Sequence, residues 1–546
     1  MTTSSLAGPL SHRSFRLLWQ GGLVSNLGTM VQTVGAGWLM ATISTQYDMV
    51  AFVQAATTLP VMLFSIPAGA LADSYERRKI LMVAQLLMMG MSLALAIVAF
   101  AGHVTPWLLL VLTFLIGCGT ALHTPSWQAS VGDVVPRDQI AGAVTLNSMG
   151  LNLTRSVGPA LGGLIVASAG AAAAFAFNAA SFLPMIYALL RITPESKAEA
   201  LPREGLRHAV WAGFRYVSMS PNLVTVILRG FLFGVAAIVI LALLPIVARD
   251  LLGGGALVYG FLLGAFGLGA IGGGLANSHL RARLSSEGLV RLAFCGMALS
   301  ACLVAVSRNV WLTGLVLLPA GASWVLALSL FNVMMQLSTP RWVVGRVLSI
   351  YQTASFGGMT AGGWLWGRVA EGQGVPTALF IAGALSCVGA AIGLRFAVPP
   401  LAARNLDPLD HFREPATQLD LQQRSGPIFI MIEYEIDQTD VPDFLSVMAE
   451  RRRIRIRDGA QQWVLLRDVE NPSFWKEAYH VPTWADYLRH NQRRTRMDAT
   501  VSERLIALNR GQAKPSVRRM IERETVPQRD DMPLKPFDDL HGLSIT

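Results

Sequence analysis

Arg155 stands well inside an apolar stretch that runs from about 139 to 168. A cation at that depth in a membrane is costly, so it faces a cavity or a partner rather than lipid. Two kinds of chemistry are open to it: capture of an anionic group on a substrate, or fixed pairing with an acid. Other apolar stretches carry amides, among them Asn26 and Gln32 in the first and Asn147 in the fifth. As a set these describe a hydrated cavity; each alone is more often an interhelical hydrogen-bond partner than a ligand contact. No Asp or Glu falls deep in any stretch, so proton transfer would have to use His123 or Asp133 near one end of the fourth. Asp133 can also be read as a loop cap. Arg229 lies close enough to the end of its stretch to snorkel.

Two short clusters could move helices rather than bind. Gly69 precedes Asp73, Arg77 and Arg78, an acid and cations at a helix end where they can clasp one another or a neighbouring helix terminus. The same charges also serve simply to fix topology. Gly158, Gly162 and Gly163 make a smooth helix face, and Pro159 removes one backbone hydrogen bond, so the segment can flex or pack closely.

The elements that hold these residues are apolar runs of membrane-crossing length. Hydrophobic residues make up 53% of the 546 and charged residues 14%, against about 25% charged in soluble domains. Twelve spans are expected: 17–41, 49–72, 80–101, 106–127, 139–168, 171–191, 222–248, 256–277, 288–307, 310–336, 343–369 and 375–397. Alternate breaks are basic, with Arg77-Arg78-Lys79, Arg137, Lys197 to Arg215, Arg281 and Arg283, and Arg341 and Arg346. That pattern predicts both termini in the cytoplasm. It also accounts for the net charge of +10 without nucleic acid as a partner. The four cysteines lie in apolar runs, with neither disulfide nor metal spacing.

The domain reading follows. Residues 1–191 form one six-helix half, 192–220 a cytoplasmic linker and 221–400 the second half. Residues 401–426 are a further linker, 427–510 a soluble α+β domain, and 511–546 a disordered tail. In the soluble part IFIMIEYEI and QQWVLLRD alternate as strands, VPDFLSVMAERRRIRIR reads as a helix with a solvated basic face, and one or two helices follow.

The two halves repeat at a shift of 204 residues. That one shift superposes Gly69-Ala70-Leu71-Ala72-Asp73 on Gly273-Gly274-Leu275-Ala276-Asn277, and Pro136-Arg137 on Pro340-Arg341. It also superposes Gly158 on Gly362, Gly163 on Gly367 and Gly170 on Gly374. Parallel repeats of this kind belong to transporters whose substrate site lies between the halves near mid-membrane.

GALADSYERRKIL resembles the loop signature between helices 2 and 3 of the major facilitator superfamily, and GPALGG its helix 5 antiporter motif. The stretch from Pro125 to Gly163 resembles the enterobactin-exporter-like branch, the transmembrane secretion effectors. Ser74, Glu76, Thr154 and Asn277 depart from the usual patterns. Over residues 10–400 the resemblance implies an all-α membrane bundle in two pseudo-symmetric halves. It implies export of a small amphipathic or anionic molecule, siderophore-like or drug-like, by alternating access with proton coupling, in a bacterial inner membrane.

The C-terminal region resembles the ferredoxin-like dimeric barrels of antibiotic-biosynthesis monooxygenases, which implies homodimerisation through it. No catalytic constellation, cofactor or metal site is expected, and no Walker motif is present. The partners expected are a small-molecule substrate and membrane lipid. Competing readings are a membrane-anchored enzyme or sensor acting through the tail, and an uptake facilitator for lysophospholipid or metabolite. Under the gating reading, Asp73→Asn lowers transport without lowering membrane insertion; transport equal to wild type would remove that role.

Overall fold

The computed structural model describes residues 8–136, 139–191, 206–340, 342–400, 409, 414–511 and 515–522. The chain divides into two compact units: 1–198 with 222–335 and 348–402, and 199–221 with 336–347 and 403–546.

The first unit is helical. After one turn at Gly8–Ser11 come α1 (Arg13–Ile43), α2 (Tyr47–Ser74), α3 (Arg77–Phe100), α4 (Pro106–Val134), α5 (Ile140–Ser181) and α6 (Leu183–Arg191). At about 1.5 Å per residue, the 42 residues of α5 would be twice as long as a bilayer core is thick. Gly170 divides it, with φ 79° and ψ 171°, a conformation open to glycine because it lacks Cβ. Its repeat partner Gly374 has φ 87° and ψ 156° at the corresponding corner of the second half. α1 carries Gly21, Gly28 and Gly35 at heptad spacing along its contact with the second part of α5 and α6: a Cβ on Gly21 would stand 2.8 Å from the Met185 backbone.

α7 (Leu206–Ser218) belongs to the other unit. The bundle resumes with α8 (Pro221–Ile246), a π-helical turn (Val247–Leu251), α9 (Ala256–Arg283), α10 (Ser286–Val306), α11 (Val310–Leu337), α12 (Val344–Gln373) and α13 (Val375–Arg395). Among the described residues, nine helices are long and apolar enough to cross a membrane. The difference from the expected twelve has a physical origin. The run 149–191 counts once despite the break at Gly170, while α1 and α12 are diluted by Asn26, Gln32, Arg346, Gln352, Arg368 and Glu371.

A buried polar cluster braces each half. In the first, Asn178 on α5 donates to Gln32 on α1 and to Ser92 on α3 at 3.0 Å, and Ser92 donates to Gln32 at 2.9 Å. In the second, Arg229 on α8 is 3% exposed and does not snorkel. It donates to Glu287 on α10 at 3.0 Å and to the Gly389 carbonyl on α13. The other Glu287 oxygen accepts from the Val398 backbone at 2.8 Å, and Arg291 completes the cluster at 3.2 Å. Glu287 stands one residue outside the expected span, so its burial was not legible. Removing one member of such a buried pair costs about 3–5 kcal/mol.

In the second unit a four-stranded antiparallel sheet runs β2-β3-β1-β4. Its elements are β1 (Ile428–Glu435), α14 (Val441–Asp458), β2 (Gln461–Arg467), β3 (Phe474–Val481), α15 (Trp484–Gln492), α16 (Arg496–Leu508) and β4 (Ser516–Ile521). Two strands escape the sequence reading. β4 lies in the tail expected to be disordered and pairs with β1 from Ile428↔Ile521 to Glu433↔Ser516. β3 carries Lys476 and Glu477 in its middle, which hides its alternation.

Glu477 also corrects the solvated basic face of α14. The carboxylate, fully buried, accepts from Arg451 at 2.8 Å, Arg455 at 3.2 Å, Tyr434 at 2.9 Å and Trp463 at 3.1 Å. Arg452 and Arg453 stay exposed.

Burial alone would raise the Glu477 pKa, but Arg451 and Arg455 outweigh it and hold the group at about 2, below its ordinary 4.5. A carboxylate with a depressed folded-state pKa stabilises above its unfolded value and loses that contribution as pH falls toward its folded one. On the order of 3 kcal/mol of domain stability should therefore disappear between about pH 4.5 and pH 2. Urea unfolding across that range, followed by tryptophan emission, should show the loss in wild type and not in Glu477→Gln.

Candidate functional site

The repeat-related glycines separate into two jobs. Gly158 on α5 packs on α1, where a Cβ would stand 2.5 Å from Met30 Cβ, and Gly162 faces Val31 and Val34 of the same helix. The partner of Gly158, Gly362 on α12, packs in the same way on Val235 and Ile238 of α8. These contacts hold each half together. Gly163 and its partner Gly367 face across the halves. A Cβ on Gly163 would stand 2.8 Å from the Gly260 Cα on α9, and one on Gly260 2.9 Å from the Pro159 carbonyl oxygen. Gly367 meets Ala51 and Asp48 of α2, 2.8 and 3.0 Å from its Cβ position. The halves therefore meet along two legs, α5 on α9 and α12 on α2, related by the internal repeat.

Charges gather where the α2–α12 leg ends near residues 44–48 and 368–371. Asp48, 6% exposed, pairs with Arg368 of α12 at 3.5 Å, and Glu371 accepts from the Tyr47 backbone at 2.5 Å. Arg249 in the π-helical turn donates to the Ala41 carbonyl and, at 3.5 Å, to that of Ser44, and is itself held by Asp250 at 2.6 Å. Trp38 of α1 stacks on Tyr259 of α9 with centroids 6.5 Å apart. Further along the α2–α12 leg, Thr58 and Thr360 hydrogen-bond at 2.8 Å, and Gly69 lies beside Ser349. In sequence these charges look like ordinary loop residues; their signal was position at span ends, and only the pairing of halves brings them together.

The cavity candidates separate as well. Gln32 is occupied by Ser92 and Asn178. His123 stacks on Trp127 of α4 with centroids 6.2 Å apart, and Trp127 donates to Asn147 of α5 at 3.3 Å. The buried Nε2 of His123 has no hydrogen-bond partner among the described residues. Asn26 is half-buried on α1. Arg155 is exposed on α5. Arg78 donates to the Leu190 carbonyl at the end of α6 at 3.4 Å, and Arg77 also has an interaction partner. The side chains of Asp73 and Asp133 lie outside the described residues. Among those described, no group of three or more His, Cys, Asp or Glu could hold a metal.

A family model described as "Transmembrane secretion effector" matches residues 3–526. The macrolide efflux protein A of Streptococcus pyogenes is 26% identical over 226 residues, 38% of this chain and 56% of that protein. The match thus spans little more than half of that relative's length. The enterobactin exporter of Escherichia coli O1:K1 / APEC is 28% identical over 301 residues, 55% of this chain and 71% of its own. The staphyloferrin A transporter of Staphylococcus aureus (strain NCTC 8325 / PS 47) is 24% identical over 268 residues, 49% and 66%. Among solved structures, a bacterial homologue of the human lysosomal transporter Spinster, inward-facing and unoccupied, superposes with TM-score 0.56 at 14% identity. That likeness covers 71% of this chain and 98% of that one. The nucleoside transporter NupG superposes with TM-score 0.55 at 11% identity, over 70% and 99%. At these identities the likeness concerns the fold.

The charged clasp yields a test. A cysteine placed at Ala51, which is fully buried against Gly367, should react slowly with a membrane-impermeant maleimide. Arg368→Glu should raise that rate roughly two- to fivefold, the range for losing one ion pair with an exposed partner. The charge swap Asp48→Arg with Arg368→Glu should restore the slow rate.

Proposed function

This chain belongs to the transmembrane secretion effector family of major-facilitator-type transporters, and from that premise we propose that it exports a small amphipathic or anionic molecule by alternating access. The family is one of multi-pass membrane transporters and not of enzymes. The single observation that carries the mechanism is the pair of repeat-related contacts, Gly163 on Gly260 and Gly367 on Ala51. Two legs of nearly bare backbone allow the halves to rock without unpacking either half, whose own seams are Gly158 on α1 and Gly362 on α8.

In this reading the chain crosses a bacterial inner membrane twelve times with both termini inside, and the end clasped by Asp48, Arg368, Glu371 and Arg249 is the outer one. Release of the clasp opens the cavity outward. The substrate meets Asn26, Asn147 and Arg155. Arg155 supplies the only charge in that set and so selects an anionic group, in keeping with siderophore-like or drug-like cargo. His123, stacked on the Trp127 that holds Asn147, and Asp133 are the groups for proton coupling, with Asp73, Arg77 and Arg78 as the gate at the opposite end. The strand order β2-β3-β1-β4, with α14 after β1 and α15 and α16 before β4, supports a ferredoxin-like domain. The outer sheet face carrying Met431, Val464 and Met520 is the surface through which it would dimerise.

The experiment is accumulation of a panel of labelled macrolides and catecholate or carboxylate siderophores in cells lacking the gene, with and without a protonophore. Cells expressing the protein should accumulate less of at least one compound, and the protonophore should abolish the difference. Arg155→Gln should reduce export of an anionic cargo roughly tenfold or more, the scale of one desolvated charge-assisted hydrogen bond, and leave a neutral one little changed. Equal losses for both would remove Arg155 from recognition.

A further inference from the structure

The second unit contains more than the sheet domain. It includes α7, the described part of the connector between the halves, and residues 336–347, the connection from α11 to α12. Only Met219 and Ser220 separate α7 from α8, and Trp342 sits between the end of α11 at Leu337 and the start of α12 at Val344. The sheet domain grips both segments through one aromatic pair. Tyr216 of α7, 3% exposed, meets Trp342 edge-on with centroids 6.0 Å apart. The Arg457 guanidinium lies 5.4 Å from the Tyr216 ring centroid, and that of Arg493 lies 4.2 Å from the Trp342 centroid. Two cations thus bracket two rings.

Both cations are held by the domain itself. Arg457 donates to Asp458 at 2.9 Å and to Asp498 at 3.0 and 3.1 Å, and Asp498 is fixed in turn by a capping box with Thr495. Arg493 donates to the Asp458 carbonyl at 3.1 Å. Pre-orientation of this kind lowers the entropy lost on docking. On the other side, Arg215 of α7 donates to the Arg457 carbonyl at 3.3 Å, a cation at the C-terminus of α14 where carbonyls lack helical partners. The helix stops there at Gly459, whose φ is 125°. None of the domain-internal bonds of Arg457 and Arg493 depends on the aromatics, so the grip is separable from the fold.

We propose that the C-terminal domain is a latch: by holding Tyr216 and Trp342 together between Arg457 and Arg493, it ties the entry of α8 to the α11–α12 connection and restrains their movement during the transport cycle. A ligand or partner that displaced the domain would free both connections at once. The consequence for transport rests on the alternating-access reading; the grip itself does not.

The test uses the full-length protein in lipid nanodiscs, without any substrate. Hydrogen exchange is compared for wild type, Trp342→Ala and Trp342→Phe. Trp342→Ala should raise exchange across 206–218 roughly five- to thirtyfold, the range from an exposed to a desolvated cation–π contact. Exchange in 428–435 should stay unchanged, and Trp342→Phe should behave nearly as wild type. Spin labels at Tyr75 and Leu284, on the α2–α3 and α9–α10 connections, should then give a broader distance distribution in Trp342→Ala. Unchanged exchange in 206–218 would overturn the latch. Parallel loss of protection in 428–435 would also overturn it, by making the aromatics part of the core. Loosened α7 with an unaltered 75–284 distribution would overturn the restraint. None of these outcomes bears on whether the bundle exports a compound, which the accumulation experiment decides.

Discussion

The near contact of bare backbones at Gly163 and Gly260 sets the terms for the rest of the bundle. In lipid, apolar side chains gain little by leaving one apolar surface for another, so helices associate through close packing, hydrogen bonds and small residues. A side chain at either glycine would push α5 from α9, and the leg at Gly367 would then no longer match its counterpart. The seams at Gly158 and Gly362 obey the same constraint inside each half. Two tight seams within halves and two between them are the packing that the proposed alternating access requires.

Buried charge is handled in the same manner in both units, although their solvents differ. Arg229 is compensated by Glu287, and Glu477 by Arg451 and Arg455, with the remaining lone pairs taken by backbone or side-chain donors. A buried ion survives only with this degree of satisfaction. Where satisfaction is incomplete the position is of another kind. Asp48 has one oxygen on Arg368 and the other, Oδ1, without a hydrogen-bond partner among the described residues, at a junction between halves. Its pair is therefore easier to give up than the braces inside each half, which suits the clasp of the proposed cycle.

Much of the bundle was legible from period and spacing. The shift of 204 residues rested on glycines, and the fold turns those same glycines into corresponding contacts and into the paired corners at Gly170 and Gly374. The basic run of α14 misled, because Arg451, Arg455 and Arg457 look solvated until Glu477 and Asp498 arrive from other elements. β3 was hidden for the reciprocal reason, since a strand with a charged centre is not recognised without its counter-ions. Gln32 read as a cavity residue, yet Asn178, 146 residues away, occupies it.

Local properties are thus the part that amino-acid order decided alone: which segments are apolar enough for lipid, where backbone must bend at a glycine, and that two halves share one plan. Hydropathy and backbone freedom belong to single residues or to neighbours in the chain, so they can be read along it. The pairings across the halves, the clasp of Asp48 with Arg368, and the grip of Arg457 and Arg493 on Tyr216 and Trp342 were settled only by folding. Electrostatic and aromatic contacts act over a few ångströms between residues hundreds apart, and no periodicity in the chain encodes which of many charges will meet.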